Sequence, residues 1–248
     1  GGSVLSTGTF NQSGAAATTQ LASGTTVSAS GLSTLEGGTI AGTLGGVGNK
    51  TVQTGTTELT GTISGGALTV SGTGPGVLNF NDGTLNSSLV MDGGTVSTES
   101  GSTTNTINNA STTLASSDST ILAATGTELS VTSGTILTGG AELTIGNAAD
   151  ATTAGTVVLD ATTTATPQDN GSLNVARGTL QFANAATASL YSGTGTTGQS
   201  VTVGSDGTID LNGNNSTMAN LSGDGLITST VVAGTPTLTL NTTAASSF

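Results

Sequence analysis

At 248 residues and a formal net charge of −12, with 14 acidic side chains set against Lys50 and Arg177 alone, the chain is unsuited to partners recognised through phosphate. Nucleic acid and anionic membrane surfaces are bound through clusters of Lys and Arg that it does not contain. It has no Cys and no His, which removes disulfides, thiolate and imidazole metal sites and the Ser/His and Cys/His nucleophile pairs, and leaves no metal or cofactor to expect.

Only 6% of residues are charged and 2% aromatic, against about 25% charged in an ordinary globular domain. Burial therefore falls to Val, Ile and Leu at regular intervals, which suits a stacked repeat because each unit completes its core against its neighbours. Disorder is opposed by the many β-branched residues, only three prolines and a mean hydropathy of +0.15. The 40 glycines follow no three-residue period, so a collagen helix is excluded. No run of ~18 apolar residues exists to span a bilayer as a helix. A membrane β-barrel would need aromatic girdles, and the chain has no Trp and one Tyr, Tyr191.

In chain order, one signal recurs: a glycine that permits a turn, a threonine, and an apolar residue that opens a strand. It occurs at Gly8-Thr9-Phe10, Gly38-Thr39-Ile40, Gly42-Thr43-Leu44, Gly61-Thr62-Ile63, Gly83-Thr84-Leu85, Gly94-Thr95-Val96, Gly134-Thr135-Ile136, Gly155-Thr156-Val157, Gly178-Thr179-Leu180 and Gly207-Thr208-Ile209. The copies span the chain without a linker, so a single domain over 1–248 is expected. Ser97 to Thr120 is the least regular part, with Ile107 and Leu114 at strand-like intervals. The alanine-rich pieces Gly14–Leu21 and Asn184–Leu190 are too short and threonine-rich for helices and read as loops or strands. Asp150 could cap a helix, but the glycine and β-branched residues after it read as a turn into a strand over Thr156–Leu159.

Gly126–Asn147 states the repeating phrase most fully. Leu129 and Val131 alternate with Ser130, Leu143 and Ile145 with Thr144, and Ile136 sits between, so these five residues are predicted to point inward. GTISGGALTVSG from Gly61 matches GTILTGGAELTIG from Gly134 at an offset of 73 positions once two insertions are allowed. Two all-β architectures fit. Asp-Gly turns in VLNFNDGTL (77–85) and TVGSDGTIDL (202–211) favour hairpins of a sandwich, whereas alternations of about three to five residues are shorter than the strands of about five or six typical of sheets and favour a parallel β-solenoid. With roughly 20 residues per coil, the solenoid would have about a dozen coils and be about 60 Å long, and the 73-residue offset would be close to four coils.

The remaining chemistry is carboxylate chemistry. Asp206 and Asp210 flank Gly207-Thr208-Ile209, and Asp82 and Asp92 would have to meet across coils, to give the acid pair of a polysaccharide-acting enzyme. Asp82, Asp92, Asp206 and Asp224 all precede glycine, where aspartate is a good turn residue. Glu58, Glu128 and Glu142 each precede a leucine at a strand start and are expected to face solvent rather than bind calcium. No catalytic, cofactor or metal residue is assigned. Thr237-Leu238-Thr239 has the Thr-x-Thr form of ice-binding solenoids, without a regular ladder of such units in the sequence.

At the C-terminal end, LSGDGLITSTVVAGTPTLTLNTTAASSF (221–248) resembles the strand repeats of bacterial autotransporter passenger domains and related surface proteins. The matching residues are Leu221, Gly223, Gly225, Ile227 and Thr228, then Thr237 to Leu240, then Ser247-Phe248. GSLNVARGTLQFANAA (171–186) and GGALTVSGTGPGVLNF (65–80) extend the likeness more loosely. The resemblance implies a right-handed β-helix on a bacterial surface, acting outside the cell as adhesin, stalk or coat, and a chain that is a piece of something longer. Expected partners are further copies stacked end to end, or a host or matrix glycan or protein receptor. A surface-layer lattice protein is the alternative in the same setting.

Overall fold

The structure, a computed structural model, describes residues 4–13, 24–164, 171–192, 199–231, 235–242 and 248. Strand pairing throughout the ladders is parallel, and most strands pair with those one coil before and one coil after. The chain winds as a β-solenoid of about 10 turns, fewer than the dozen expected because the coils are longer. At about 4.8 Å per coil this is a column about 50 Å long.

Each coil contributes to three ladders, here called faces A, B and C. Face A runs through Val4–Thr7, Thr26–Ala29, Thr43–Gly45, Thr62–Ile63 and Thr84–Leu85. It continues through the first part of Asn105–Ser117, of Glu128–Thr138 and of Thr156–Thr164, then the second part of Leu173–Phe182 and of Val201–Asp210, and ends at Leu226–Thr228. Face B follows each A segment, from Asn11–Gln12 through Ser33–Leu35, Lys50–Val52, Leu68–Ser71 and Leu89–Asp92 into the later parts of the same long strands. Face C includes Gly38–Ile40, Thr56–Leu59, Val77–Phe80, Thr95–Thr98, Ser119–Leu122 and Leu143–Ile145, and closes each coil.

Alternation along the strands sets what is inside. Thr26–Ala29 and Val77–Phe80 both alternate half-buried and buried, because successive side chains on a strand point to opposite sides. On face A the inward residues Val27, Leu44, Ile63, Leu85, Ile107, Val131, Leu159 and Phe182 stack into one column, all at most 2% exposed. Each fully buried aliphatic contributes about 1.5–3 kcal/mol relative to exposure. The five inward residues expected in Gly126–Asn147 are all buried to 1% or less.

Coil length varies, from 17 residues (Thr26 to Thr43) to 30 (Leu143 to Leu173). The 73-residue match is accordingly not four coils. Thr62 lies on face A and Thr135 on face B, so the phrase recurs three coils and one face later. Nine of the ten Gly-Thr-apolar signals enter strands, on all three faces; Gly8-Thr9-Phe10 instead precedes Asn11–Gln12. The sandwich alternative fails because Val77–Phe80 and Thr84–Leu85 belong to adjacent faces of one coil, and 202–210 lies within a single strand.

Two short 3-10 turns depart from the all-strand expectation. Ala151–Thr153 is capped by Asp150, whose side chain accepts from the Thr152 amide, before the strand Thr156–Thr164. Thr187–Ser189, within the alanine-rich piece read as loop or strand, occupies the face B position between Thr156–Thr164 and Ser216–Ala219. Its small residues let it pack inward, with Ala188 buried. It interrupts the ladder, so Ser216–Ala219 pairs with Leu238–Asn241 as a separate two-stranded sheet. Gly14–Leu21 lies outside the described residues.

Candidate functional site

The acidic residues singled out in the sequence do not converge; each is bonded to a neighbouring coil. The Asp206 carboxylate accepts from Arg177 Nη2 at 2.5 Å, one coil back, and the same guanidinium donates to the Ala148 carbonyl at 2.9 Å. Asp210 is 2% exposed and accepts from Gln181 Nε2 (2.8 Å), Thr230 Oγ1 (2.7 Å) and the amides of Thr230 (3.0 Å) and Asn212 (2.9 Å). Burial alone would raise its pKa, but these donors more than reverse that and hold it below the usual carboxylate value. A four-donor carboxylate held below its usual pKa, beside an ion-paired one, is not an acid and base poised for glycoside hydrolysis.

Asp82 sits at the corner between faces C and A with φ 59°, and its carboxylate accepts from the amides of Thr104 (2.8 Å) and Thr103 (2.5 Å) in the next coil. Those bonds lower its pKa. Asp92 ends a face B strand and accepts from Ser116 Oγ and Ser117 Oγ. The two therefore occupy different corners. Among the described residues no group of three or more acidic side chains is placed to hold a metal ion.

Of the three glutamates, Glu128 and Glu142 are exposed. Glu58 is half-buried and ties three coils, accepting from Thr39 Oγ1 at 2.9 Å and Asn81 Nδ2 at 2.7 Å. A groove of about 520 Å³ crosses three coils at the corner between faces C and A, between Ser102-Thr103, Gly126-Thr127-Glu128 and Ala154-Gly155-Thr156. Glu128 is its single ionisable group, and it has no aromatic surface on which a sugar ring could stack.

Outward positions form a feature that the sequence concealed. Thr26, Thr43, Thr62, Thr84 and Thr106 stand one above another on face A, and Thr95, Thr120 and Thr144 on face C. Two residues along, the face A column reads Ser28, Gly45, Ser64, Asn86 and Asn108, so the columns are one threonine wide rather than Thr-x-Thr. Variable coil length hides such a column from any fixed period. The Gly-Thr-apolar signal is the trace it leaves, since Thr43, Thr62 and Thr84 all follow a glycine.

Lys50 is the other surprise. It is fully buried in the interior column between Ser33 and Leu68, with Nζ donating to the carbonyls of Gly48 (2.9 Å) and Gly46 (3.3 Å). Burial lowers its pKa from the ordinary lysine value.

These features define a class by form: a parallel β-solenoid repeat protein whose polar side chains mostly bond coil to coil. Among the described residues no helix is long and apolar enough to cross a membrane. The chain matches no protein-family model, no curated protein and no solved structure.

Proposed function

We propose that the chain is a non-enzymatic structural element of a bacterial surface, a β-solenoid stalk or adhesin working outside the cell. The observation that carries the reading is the use made of the carboxylates. Asp82, Asp92, Asp206 and Asp210, the candidates for an acid-base pair, each accept hydrogen bonds from an adjacent coil. They act as ties along a column and leave no free pair at a cleft. The likeness of 221–248 to autotransporter strand repeats supports the surface placement. In the adhesive form of this reading, a matrix or host glycan or protein docks on the flat hydroxyl-bearing faces A and C.

Immunogold labelling of intact source cells with antibody to the chain tests the placement, and incubation with a panel of polysaccharides tests the chemistry. Label at the cell surface with no released reducing ends is expected. Label confined to the cell interior, or reducing ends whose release is abolished by Asp206→Asn, overturns the reading.

A further inference from the structure

We propose that Asp210 is a proton-operated latch on the strap 229–231: ionised, it holds the strap across the A-to-B corner; protonated, it lets the strap lift while the earlier coils stay folded. The strap follows the face A strand Leu226–Thr228 and lies against the turn that leaves Val201–Asp210.

Three coils meet at this carboxylate. Oδ1 accepts from the amide of Asn212 in its own turn (2.9 Å) and from that of Thr230 in the strap (3.0 Å). Oδ2 accepts from Thr230 Oγ1 (2.7 Å) and from Gln181 Nε2 of the preceding coil (2.8 Å). Every donor is neutral, so the negative charge strengthens all four bonds. A proton added at Oδ1 would face two amide N–H groups, and one added at Oδ2 an amide N–H and a hydroxyl. It is accepted only if Thr230 Oγ1 or the Gln181 amide turns round, and the bonds that remain lose their charge assistance. Asp210 is 2% exposed, so water can replace the lost partners only when the strap moves away.

Packing does not fasten the strap independently. Ser229 is half-buried, and Thr230 and Val231 are exposed. The other side-chain bonds of the strap are local: Ser229 Oγ accepts from the Gly213 amide (2.7 Å) and donates to the Val231 carbonyl (3.2 Å). Nor is the carboxylate neutralised by a cation. Arg177 and Asp206 pair with each other four residues before Gln181 and Asp210, and Asp224 precedes Leu226 at that same corner.

Amide hydrogen exchange on the 248-residue chain, corrected for the intrinsic rate at each pH, tests this with Asp210→Asn, which is neutral at every pH. A carboxyl whose folded pKa is depressed lends stability above its unfolded value and loses it as the pH falls through the folded one. Wild-type protection of the Gly213 and Thr230 amides should therefore hold above the ordinary aspartate value of about 3.9 and fall about tenfold below it. The Val77–Phe80 amides should keep theirs. Asp210→Asn should show the lowered strap protection at neutral pH, with no step on acidification. Should that variant fail to fold, Thr230→Val, which removes one of the four donors at an exposed residue, should move the step to higher pH. Strap protection that persists in Asp210→Asn, or a step that Thr230→Val leaves in place, overturns the proposal. So does loss of the strap and Val77–Phe80 amides together, which would make Asp210 one contributor to acid unfolding of the whole column.

Discussion

Two coils before residue 98 and three coils after residue 105 turn their A-to-B corners by different means. In the first pair no strand exceeds four residues, and the corner is made by glycine: Gly46 at φ 90°, then Gly65 at 67° and Gly66 at 35° one coil later, whereas the next coil turns through Asn86-Ser87-Ser88. In the second, strands of 13, 11 and 9 residues run through the corner. There Asn109 Nδ2 donates to the Ser87 carbonyl at 2.9 Å, and its Oδ1 accepts from Thr112 Oγ1 (3.1 Å) and Ser133 Oγ (2.7 Å). One region bends by backbone freedom, which glycine supplies at an entropic cost. The other bends by side-chain hydrogen bonds set inside the corner, where they lie in a low dielectric and count for more than at the surface.

The largest expected effect comes from adding one methyl group at each kind of corner. A Cβ on Gly46 would overlap the Ala29 carbonyl and would sit on a backbone conformation that L residues avoid. Gly46→Ala should therefore cost about 3 kcal/mol. At Gly134 the same carbon meets the Ala110 oxygen at 2.8 Å and no left-handed conformation is needed, so Gly134→Ala should cost about 1 kcal/mol. Urea unfolding midpoints read both, and equal losses would erase the distinction. Next in size is Asn109→Ala, which removes three hydrogen bonds at a corner that glycine does not make. It should cost about 2 kcal/mol by the same measurement, and a loss below a few tenths would mean that the backbone holds this corner unaided.

The same contrast explains what could be read in advance. Inward positions were legible wherever an apolar residue alternated with a polar one: Leu129, Val131, Ile136, Leu143 and Ile145 are all interior. Coil boundaries were not, because spacing on one face stretches from 17 to 29 residues and the Gly-Thr-apolar signal marks any of the three corners. Ser97–Thr120 read as the least regular stretch and contains the longest strand, Asn105–Ser117, since the corner residues Asn108 and Asn109 break the apolar alternation that identifies strands. Asp210 looked like half of a carboxylate pair; it is buried under the chain at Thr230, a contact that no local pattern records. Lys50 was legible in principle, since in Lys50-Thr51-Val52 alternation puts the lysine on the same side as Val52.

Lys50 gives the glycine-cornered region a pH dependence of its own. Burial lowers its pKa in the folded chain, while the unfolded amine titrates near the ordinary value of about 10.4. Between those two values the unfolded chain binds the extra proton, so folding stability rises with pH through that window and is independent of Lys50 below it. Tyr191 acts oppositely above about pH 10, because its burial raises the phenol pKa and the unfolded phenol ionises first. Urea midpoints measured as the pH approaches the free-amine value of about 10.4 from below should therefore climb in wild type and flatten in Lys50→Met. Equal slopes in the two proteins would show that the amine is not desolvated.

The smallest expected effects change sign between the two regions. Thr57 is fully buried on face C between Gly38 and Leu78, and among the described residues its hydroxyl has no hydrogen-bond partner. Thr57→Val keeps the shape and removes the cost of desolvating that oxygen, so it should stabilise by about 1 kcal/mol. Thr112 is also fully buried, but its hydroxyl lies 2.7 Å from Ser133 Oγ and donates to Asn109 Oδ1. Thr112→Val leaves those two groups short of a partner and should destabilise by about 1 kcal/mol. Thermal unfolding of the two single variants separates them by the direction of the shift. Opposite shifts locate the stabilising inward hydroxyls in the corners that lack left-handed glycine; shifts of the same sign would mean that an interior threonine behaves alike in both regions and that the division at residue 100 is one of strand length alone.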